Sequence, residues 1–232
     1  MGVDATSSCV KPDIELVLWD FDGTLAYTSG DVWGSLCYAA ERIGCRFVDG
    51  FEEDDVNLSL PMERIYASLV PRPDPSGLES FDQDVTRHYR TISTHPRTLL
   101  FPGMRELLGT LRSRGVRSLI VTNKPQGALE RLLDLKGWSQ LFDGWVCADM
   151  GEGGDLTKAQ MIRRALDGNG VDARHSVMVG DSWGDVVGAH ETGVVSIAVT
   201  YGDGNVERLL SEGPEHVADD VQQLGTILLG SL

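Results

Sequence analysis

Four short segments of this 232-residue sequence carry side chains that could move a phosphoryl group. They are Asp20-Phe21-Asp22-Gly23-Thr24, Thr122-Asn123-Lys124, Lys158, and the segment from Gly180 to Asp185. Together they supply carboxylates, a hydroxyl and an ammonium. Carboxylates can attack phosphorus or bind a hard divalent cation, and the hydroxyl and ammonium can hold phosphate oxygens. The four segments therefore predict one active site for phosphoryl transfer.

The first segment places two carboxylates at the end of an apolar run, residues 15–21, that is typical of a buried strand. Residues i and i+2 of a regular strand share a face, so Asp20 and Asp22 could converge on one cation. One of them could also be a nucleophile and the other a proton donor. A calcium loop is excluded because it needs glycine at its sixth position and Glu at its twelfth, where this segment has Gly23 fourth and Asp31 twelfth.

The other three segments each have a chemical and a purely structural interpretation. Thr122 and the backbone at Asn123 could hold phosphate oxygens, or they could cap a helix. Lys158 opens a predicted helix and could bind an anion or simply be solvated. Asp181 and Asp185 follow a predicted strand and could form a metal platform, or they could cap and complement the next helix. Only the combination of all four segments favours the chemical interpretation.

The charge of this set predicts a cation. Asp20, Asp22, Asp181 and Asp185 bring four negative charges when ionised, a phosphate monoester adds about two more, and Lys158 returns one positive charge. Oxygen ligands favour Mg²⁺, bound by these four aspartates, and no cluster of His and Cys suggests zinc. The crowding also predicts that Asp22 is protonated part of the time, so that it can donate a proton to the leaving oxygen.

The elements that must position these residues alternate from residue 104 onward. The apolar patterns predict strands at 15–21, 116–122, 144–148, 176–180 and 194–200, and helices at 104–114, 127–136, 157–167, 185–192 and 221–229. This order predicts a Rossmann-like α/β fold, with a parallel sheet covered by helices on both faces. Asp20, Thr122 and Asp181 then lie at the carboxyl ends of strands, where open α/β sheets bind ligands.

Residues 27–97 behave differently and are called the insert below. Helical patterns cover 32–43, 62–70 and 78–89, and no clear strand is visible. The sequence therefore predicts a small all-helical domain inserted into an α/β core made of residues 1–26 and 98–232.

Composition limits the partners and the compartment. The chain has 41% hydrophobic and 24% charged residues, which predicts a folded protein, and its net charge of −15 disfavours nucleic acid and anionic lipid as partners. No apolar run reaches the length of a signal peptide core or a membrane span. We expect a cytoplasmic monomer or homodimer with free thiols. The four cysteines show no C-x-x-C spacing: Cys9, Cys37, Cys45 and Cys147.

In all four segments and in their order, the chain resembles the haloacid dehalogenase-like hydrolase superfamily. Asp20-Phe21-Asp22-Gly23-Thr24-Leu25 is similar to the first motif of that family. The resemblance implies that Asp20 attacks phosphorus to give an aspartyl-phosphate. It also implies that Asp22 protonates the leaving group and then activates water.

The resemblance further implies how the remaining residues act. Thr122 and Lys158 would hold the phosphoryl oxygens, and the insert would be a mobile cap that closes over the substrate. Mg²⁺ would be held by a set of three ligands with one supporting residue: Asp20, the Asp22 carbonyl and Asp181, supported by Asp185.

Within the superfamily, Pro102-Gly103, Thr122-Asn123-Lys124-Pro125 and residues 196–204 look most like the phosphoglycolate phosphatase branch. Ala159 stands where that branch commonly has proline, and Trp183 adds a bulky ring to the fourth motif. The leading hypothesis is a Mg²⁺-dependent phosphatase of a small phosphorylated metabolite, with 2-phosphoglycolate or a sugar phosphate as candidate substrates. A phosphosugar mutase of β-phosphoglucomutase type and a phospho-receiver signalling module remain as alternatives.

Overall fold

The computed structural model describes residues 14–230, so the predictions for residues 1–13 and 231–232, including the thiol of Cys9, lie outside it. The described residues form ten strands, in chain order: β1 (Leu16–Trp19), β2 (Ala26–Tyr27), β3 (Arg46–Phe47), β4 (Leu69–Val70), β5 (Leu99–Leu100), β6 (Arg117–Thr122), β7 (Gly144–Cys147), β8 (Ser176–Gly180), β9 (Val195–Val199) and β10 (His216–Ala218).

Nine α-helices accompany these strands in the same part of the chain: α1 (Ser29–Arg42), α2 (Met62–Ala67), α3 (Leu78–Arg87), α4 (Met104–Ser113), α5 (Gln126–Lys136), α6 (Lys158–Asn169), α7 (Trp183–Thr192), α8 (Val206–Ser211) and α9 (Val221–Gly230). None of the helices within residues 14–230 has both the length and the apolar character needed to cross a membrane.

Six strands form one parallel sheet in the order β10-β9-β8-β1-β6-β7. The central strand β1 lies between β8 and β6, and all four of its side chains are buried. Val17 and Trp19 pack into one hydrophobic cluster, while Leu16 and Leu18 pack into another on the opposite face. Burial on both faces is what a parallel sheet covered by two helical layers requires. The predicted α/β fold is therefore confirmed.

The predicted elements of the core agree with the observed ones to within about two residues. Two elements of the C-terminal part were not predicted: the helix Val206–Ser211 and the strand His216–Ala218. Both are short, and a three-residue strand or a six-residue helix shows too little of its period to stand out in a sequence.

The insert begins within β2 and ends just before β5, and these two strands pair with each other in antiparallel register at its base. It has a hydrophobic cluster of its own, around Trp33, Leu36 and Phe81. One observation corrects the prediction of an all-helical insert, since α2 ends at Ala67 and the next residues form β4, which pairs antiparallel with β3. Two-residue strands are too short to show a period-two pattern. The prediction of a helix over residues 62–70 was therefore wrong for its last residues, which form β4.

The buried His95, at the end of the insert, should make the folded protein less stable in acid. It is 1% exposed, and burial lowers its pKa to about 4, an effect that Asp31 opposes. Between pH 6.5 and 4, His95 is protonated in the unfolded chain but neutral in the folded chain. Its contribution to the unfolding free energy is therefore fully present above pH 6.5 and is lost as the pH falls toward 4. The unfolding free energy that is lost amounts to about 3 kcal/mol. The unfolding free energy, measured with urea at several pH values, should depend less steeply on pH for His95→Asn than for the wild type.

Asparagine is the appropriate replacement because His95 has a φ of 52°, in the left-handed region that Asn tolerates. His216→Asn is the matched control, since His216 is exposed. Equal slopes of unfolding free energy against pH for wild type and His95→Asn would contradict the expectation.

Candidate active site

The predicted site residues meet at the carboxyl ends of β1, β6 and β8. Asp20 follows β1, and its backbone N–H donates to the carbonyl of Val179 at 2.9 Å, which continues the sheet by one residue. Asp20, Asp181 and Asp185 are all buried, and each offers a carboxylate oxygen such that the three atoms lie within 4.8 Å of one another. Three oxygen donors this close can hold a hard divalent cation.

Lys158 lies between two of these carboxylates. Its Nζ is 2.9 Å from Asp20 Oδ1 and 2.7 Å from Asp185 Oδ1, and it donates to the backbone carbonyl of Val121 at 3.0 Å. The side chain is only 7% exposed, so the interpretation of Lys158 as a solvated lysine is wrong. Thr157 caps α6 in a capping box with Gln160, which fixes the direction from which Lys158 enters the site.

Asp181 is oriented by three donors. Its Oδ1 accepts from the hydroxyl of Thr24 at 3.1 Å, and its Oδ2 accepts from the backbone N–H groups of Asp203 at 3.1 Å and Gly204 at 3.0 Å. Gly23 is required here because its φ is +75° and an added Cβ would overlap the Asp181 carboxylate. The loop after β9 and the loop after β1 thus both close on Asp181.

Asp185 combines the two roles that the sequence left open. Its Oδ2 accepts from the backbone N–H of Ser182 at 3.1 Å and from the Ser182 hydroxyl at 2.6 Å, which completes the cap of α7. Its Oδ1 faces Lys158 and belongs to the acidic group. One carboxylate can therefore hold the helix start in place and contribute to a cation site.

The electrostatics of the acidic group favour an added cation. Burial raises the pKa of Asp20 to about 8, with Lys158 opposing and the two neighbouring carboxylates adding to the rise. Burial and Asp185 likewise raise the pKa of Asp181 to about 6. Burial alone would lower the pKa of Lys158, but Asp185 and Asp20 outweigh it and hold that pKa above its usual range. One internal ammonium does not balance three buried carboxylates.

Asp22 does not join this group, which corrects two expectations: that its carboxylate and that of Asp20 converge on one cation, and that the other aspartates crowd it. Its Oδ1 accepts from the Thr28 hydroxyl at 2.7 Å and lies 2.9 Å from Lys124 Nζ. β1 ends at Trp19, and the chain turns after it, so the alternation rule for strands no longer applies at Asp22. The Asp22 side chain is 38% exposed and available to a substrate.

The second segment separates into one exposed and two buried residues. Thr122 ends β6 and is buried, and its hydroxyl accepts from the backbone N–H of Lys124 at 3.2 Å. Asn123 is exposed. Lys124 is buried and contacts Asp22, and the sequence pattern predicted no role for this residue although it stands inside the motif.

Gly188 allows α7 to pack closely against α6. A Cβ there would lie 2.8 Å from Lys158 Cγ and 3.1 Å from the backbone nitrogen of Ala159. Gly188→Ala should therefore cost about 1–3 kcal/mol of unfolding free energy, because the two helices must separate or Lys158 must move. Chemical denaturation measures this directly.

Gly109→Ala is the matched control, since Gly109 lies inside α4 and an added Cβ there meets no atom within 4 Å. It should gain about 0.5–1 kcal/mol from reduced backbone entropy in the unfolded chain. A Gly188→Ala protein as stable as wild type would show that the close approach of the helices is not required.

Comparison with known proteins gives a matching family model and several relatives. The family model of the haloacid dehalogenase-like hydrolases matches residues 17–199. A phosphoglycolate phosphatase from Pseudomonas syringae pv. tomato is 33% identical over 220 residues, covering 90% of this chain and 78% of that protein. A 5′-nucleotidase from Pseudomonas aeruginosa is 27% identical over 221 residues, covering 91% of this chain and 94% of that protein.

A solved structure from Clostridium difficile has the same fold. It superposes with a TM-score of 0.81 at 24% identity and covers 93% of this chain and 99% of that one. At this identity the likeness concerns the fold alone.

Proposed function

Because the chain belongs to the haloacid dehalogenase-like hydrolase family, as a phosphatase similar to its phosphoglycolate phosphatases, we propose that it hydrolyses a small phosphate monoester through an aspartyl-phosphate, with Mg²⁺. The observation that carries the proposal is the buried Asp20 carboxylate, held 2.9 Å from Lys158 within an acidic group. A carboxylate in this setting is shielded from water and fixed in direction, as a nucleophile must be.

In the proposed first step, an oxygen of Asp20 bonds to phosphorus while the ester P–O bond breaks. The electron pair of that bond goes to the leaving oxygen, and Asp22 donates its proton to the same oxygen. In the second step Asp22 takes a proton from water, whose oxygen bonds to phosphorus as the bond from phosphorus to Asp20 breaks. Inorganic phosphate leaves, and both aspartates return to their starting states.

The residues present fit a hard divalent cation. Asp20, Asp181 and Asp185 would hold it through their carboxylates, and the Asp22 carbonyl remains a predicted fourth ligand. A bound Mg²⁺ supplies the positive charge that balances the carboxylates and the phosphoryl oxygens. Lys158 pairs with both Asp20 and Asp185 and so reduces the repulsion between their carboxylates.

The roles of Thr122 and Asn123 as phosphate-binding residues remain predictions. Thr122 lies at the strand end that such a role requires, and Asn123 is exposed beside it. The insert is proposed to be a cap, which its separate hydrophobic cluster and the β2–β5 pair at its base support. We also propose a cytoplasmic monomer or homodimer; the described cysteines Cys37, Cys45 and Cys147 are free thiols.

The named relatives set the order in which substrates are tried. 2-Phosphoglycolate comes first and nucleoside monophosphates come second, because the relatives above are a phosphoglycolate phosphatase and a 5′-nucleotidase. Sugar phosphates complete the panel. The test is release of inorganic phosphate with Mg²⁺ and with EDTA.

Mg²⁺-dependent release from at least one compound supports the proposal. Conversion of a sugar phosphate to its isomer, without net release, would instead favour the phosphosugar mutase. Release that is equal in EDTA and in Mg²⁺ would overturn the assignment of the acidic group to a cation.

A further inference from the structure

Within residues 14–230, the Asp22 carboxylate is held at one of its two oxygens. The Thr28 hydroxyl, at 2.7 Å, and the Lys124 ammonium, at 2.9 Å, both approach Oδ1. Two donors on one oxygen fix the rotation of the carboxyl group and leave Oδ2 as the oxygen that can carry a proton. The orientation of Asp22 therefore depends on where Lys124 is held.

Lys124 is in turn held by the insert. Its Nζ donates to the hydroxyl of Tyr89 at 2.9 Å and lies 4.9 Å from the centre of the Tyr89 ring. The Lys124 side chain is 6% exposed, so its charge depends on these partners and not on water. Lys124 follows β6 of the core, whereas Tyr89 follows α3 of the insert.

The segment around Tyr89 is fastened to the core. Tyr89 lies in the wide helical turn His88–Ile92 that continues α3. Ser93 lies four residues after Tyr89, and its backbone carbonyl accepts a hydrogen bond from Arg131 of α5 at 2.6 Å. His95 packs against the Tyr89 ring with a centroid separation of 4.8 Å and an interplanar angle of 78°. Tyr89 thus belongs to the part of the insert that rests on the core beside Asp22.

We propose that Lys124 and Tyr89 are positioning residues that aim Asp22 at the leaving oxygen. This rests on the proposed function, in which Asp22 is the proton donor. The Tyr89 hydroxyl fixes the position of the Lys124 ammonium, and Lys124 fixes Oδ1 of Asp22. Without the Tyr89 hydroxyl, Lys124 loses one of the two polar partners described for its ammonium, and the carboxyl group of Asp22 loses its fixed rotation.

The test compares leaving groups, because a proton donor matters most for a leaving oxygen that is unstable as an anion. We would measure kcat/KM, which covers formation of the aspartyl-phosphate, for a series of substituted phenyl phosphates and for ethyl phosphate. Tyr89→Phe removes the hydroxyl and keeps the ring. It should lower kcat/KM by about tenfold for ethyl phosphate and by less than about twofold for 4-nitrophenyl phosphate. Lys124→Met should show the same selectivity with a larger loss.

Tyr66→Phe is the matched control, since the Tyr66 hydroxyl donates to the Asp74 carbonyl within the insert, away from Lys124. It should leave the dependence on the leaving group unchanged. An equal loss for all leaving groups in Tyr89→Phe, or no loss for any, would overturn the inference. A wild-type protein that releases phosphate neither from these esters nor from any compound of the metabolite panel would overturn the proposed function instead, which keeps the two failures distinct.

Discussion

Replacement of Asp20 by Asn should abolish phosphate release while the protein remains folded. The amide that replaces the carboxylate is a poor nucleophile and cannot form the aspartyl-phosphate, so kcat/KM should fall by at least ~10⁴-fold. Asparagine is close in size to Asp and keeps the buried position beside Lys158. Phosphate release from the best substrate of the panel measures the loss.

A second readout separates loss of the nucleophile from general damage. Wild-type protein quenched in acid during turnover should carry one phosphoryl group on Asp20, detectable by mass spectrometry of the intact chain and its peptides. The Asp20→Asn protein should carry none, while its circular dichroism spectrum stays that of the wild type.

The matched control is Asp172→Asn, at an exposed aspartate of the core that pairs with Arg174. It should retain wild-type activity, because a surface ion pair contributes little. Comparable activity in Asp20→Asn and Asp172→Asn would exclude Asp20 as the nucleophile, whatever substrate is used.

The convergence of Asp20, Thr122 and Asp181 was predictable because it follows from topology. Strands that alternate with helices form a parallel sheet, and a parallel sheet brings the carboxyl ends of its strands to one edge. The buried runs of β1, β6 and β8 were long enough to be recognised, so Thr122 at the end of β6 and the aspartates directly after β1 and β8 were placed correctly.

The environment of Asp22 was not predictable in the same way. It depends on a turn just beyond β1 and on Lys124 and Thr28, whose approach is set by tertiary packing and not by a local period. The contact between Lys124 and Tyr89 joins two parts of the chain that are 35 residues apart, across the boundary of the insert. Such contacts leave no regular spacing in a single sequence.

The burial of Lys158 was also hidden from the sequence, where a lysine at a helix start resembles a solvated residue. The decisive feature is Gly188 on the neighbouring helix, which leaves room for the Lys158 stem. A glycine inside a helix signals close approach only when its partner is known.

Replacement of Lys158 by Met should destabilise the metal-free protein strongly. Lys158 is the ammonium that pairs with both Asp20 and Asp185, and its removal deprives these buried carboxylates of their shared counter-charge. Breaking a buried ion pair at one partner costs about 3–5 kcal/mol. Urea unfolding in EDTA should show a loss of this size, together with loss of phosphate release.

Lys136→Met is the matched control, since Lys136 lies half-exposed on α5 with its ammonium 5.9 Å from the Trp138 ring centre. Its removal should cost less than about 1 kcal/mol. Equal unfolding free energies for the two variants in EDTA would contradict the account of Lys158 as a buried counter-charge.

The same pair of variants tests the cation site without using activity. A ligand that binds only the folded chain stabilises it according to its affinity, and a cation binds more tightly where the net negative charge is greater. Mg²⁺ should therefore raise the unfolding free energy of Lys158→Met by more than that of the wild type or of Lys136→Met. An equal rise in all three would place the cation elsewhere. The larger rise would tie the cation to the carboxylates that Lys158 now partly neutralises.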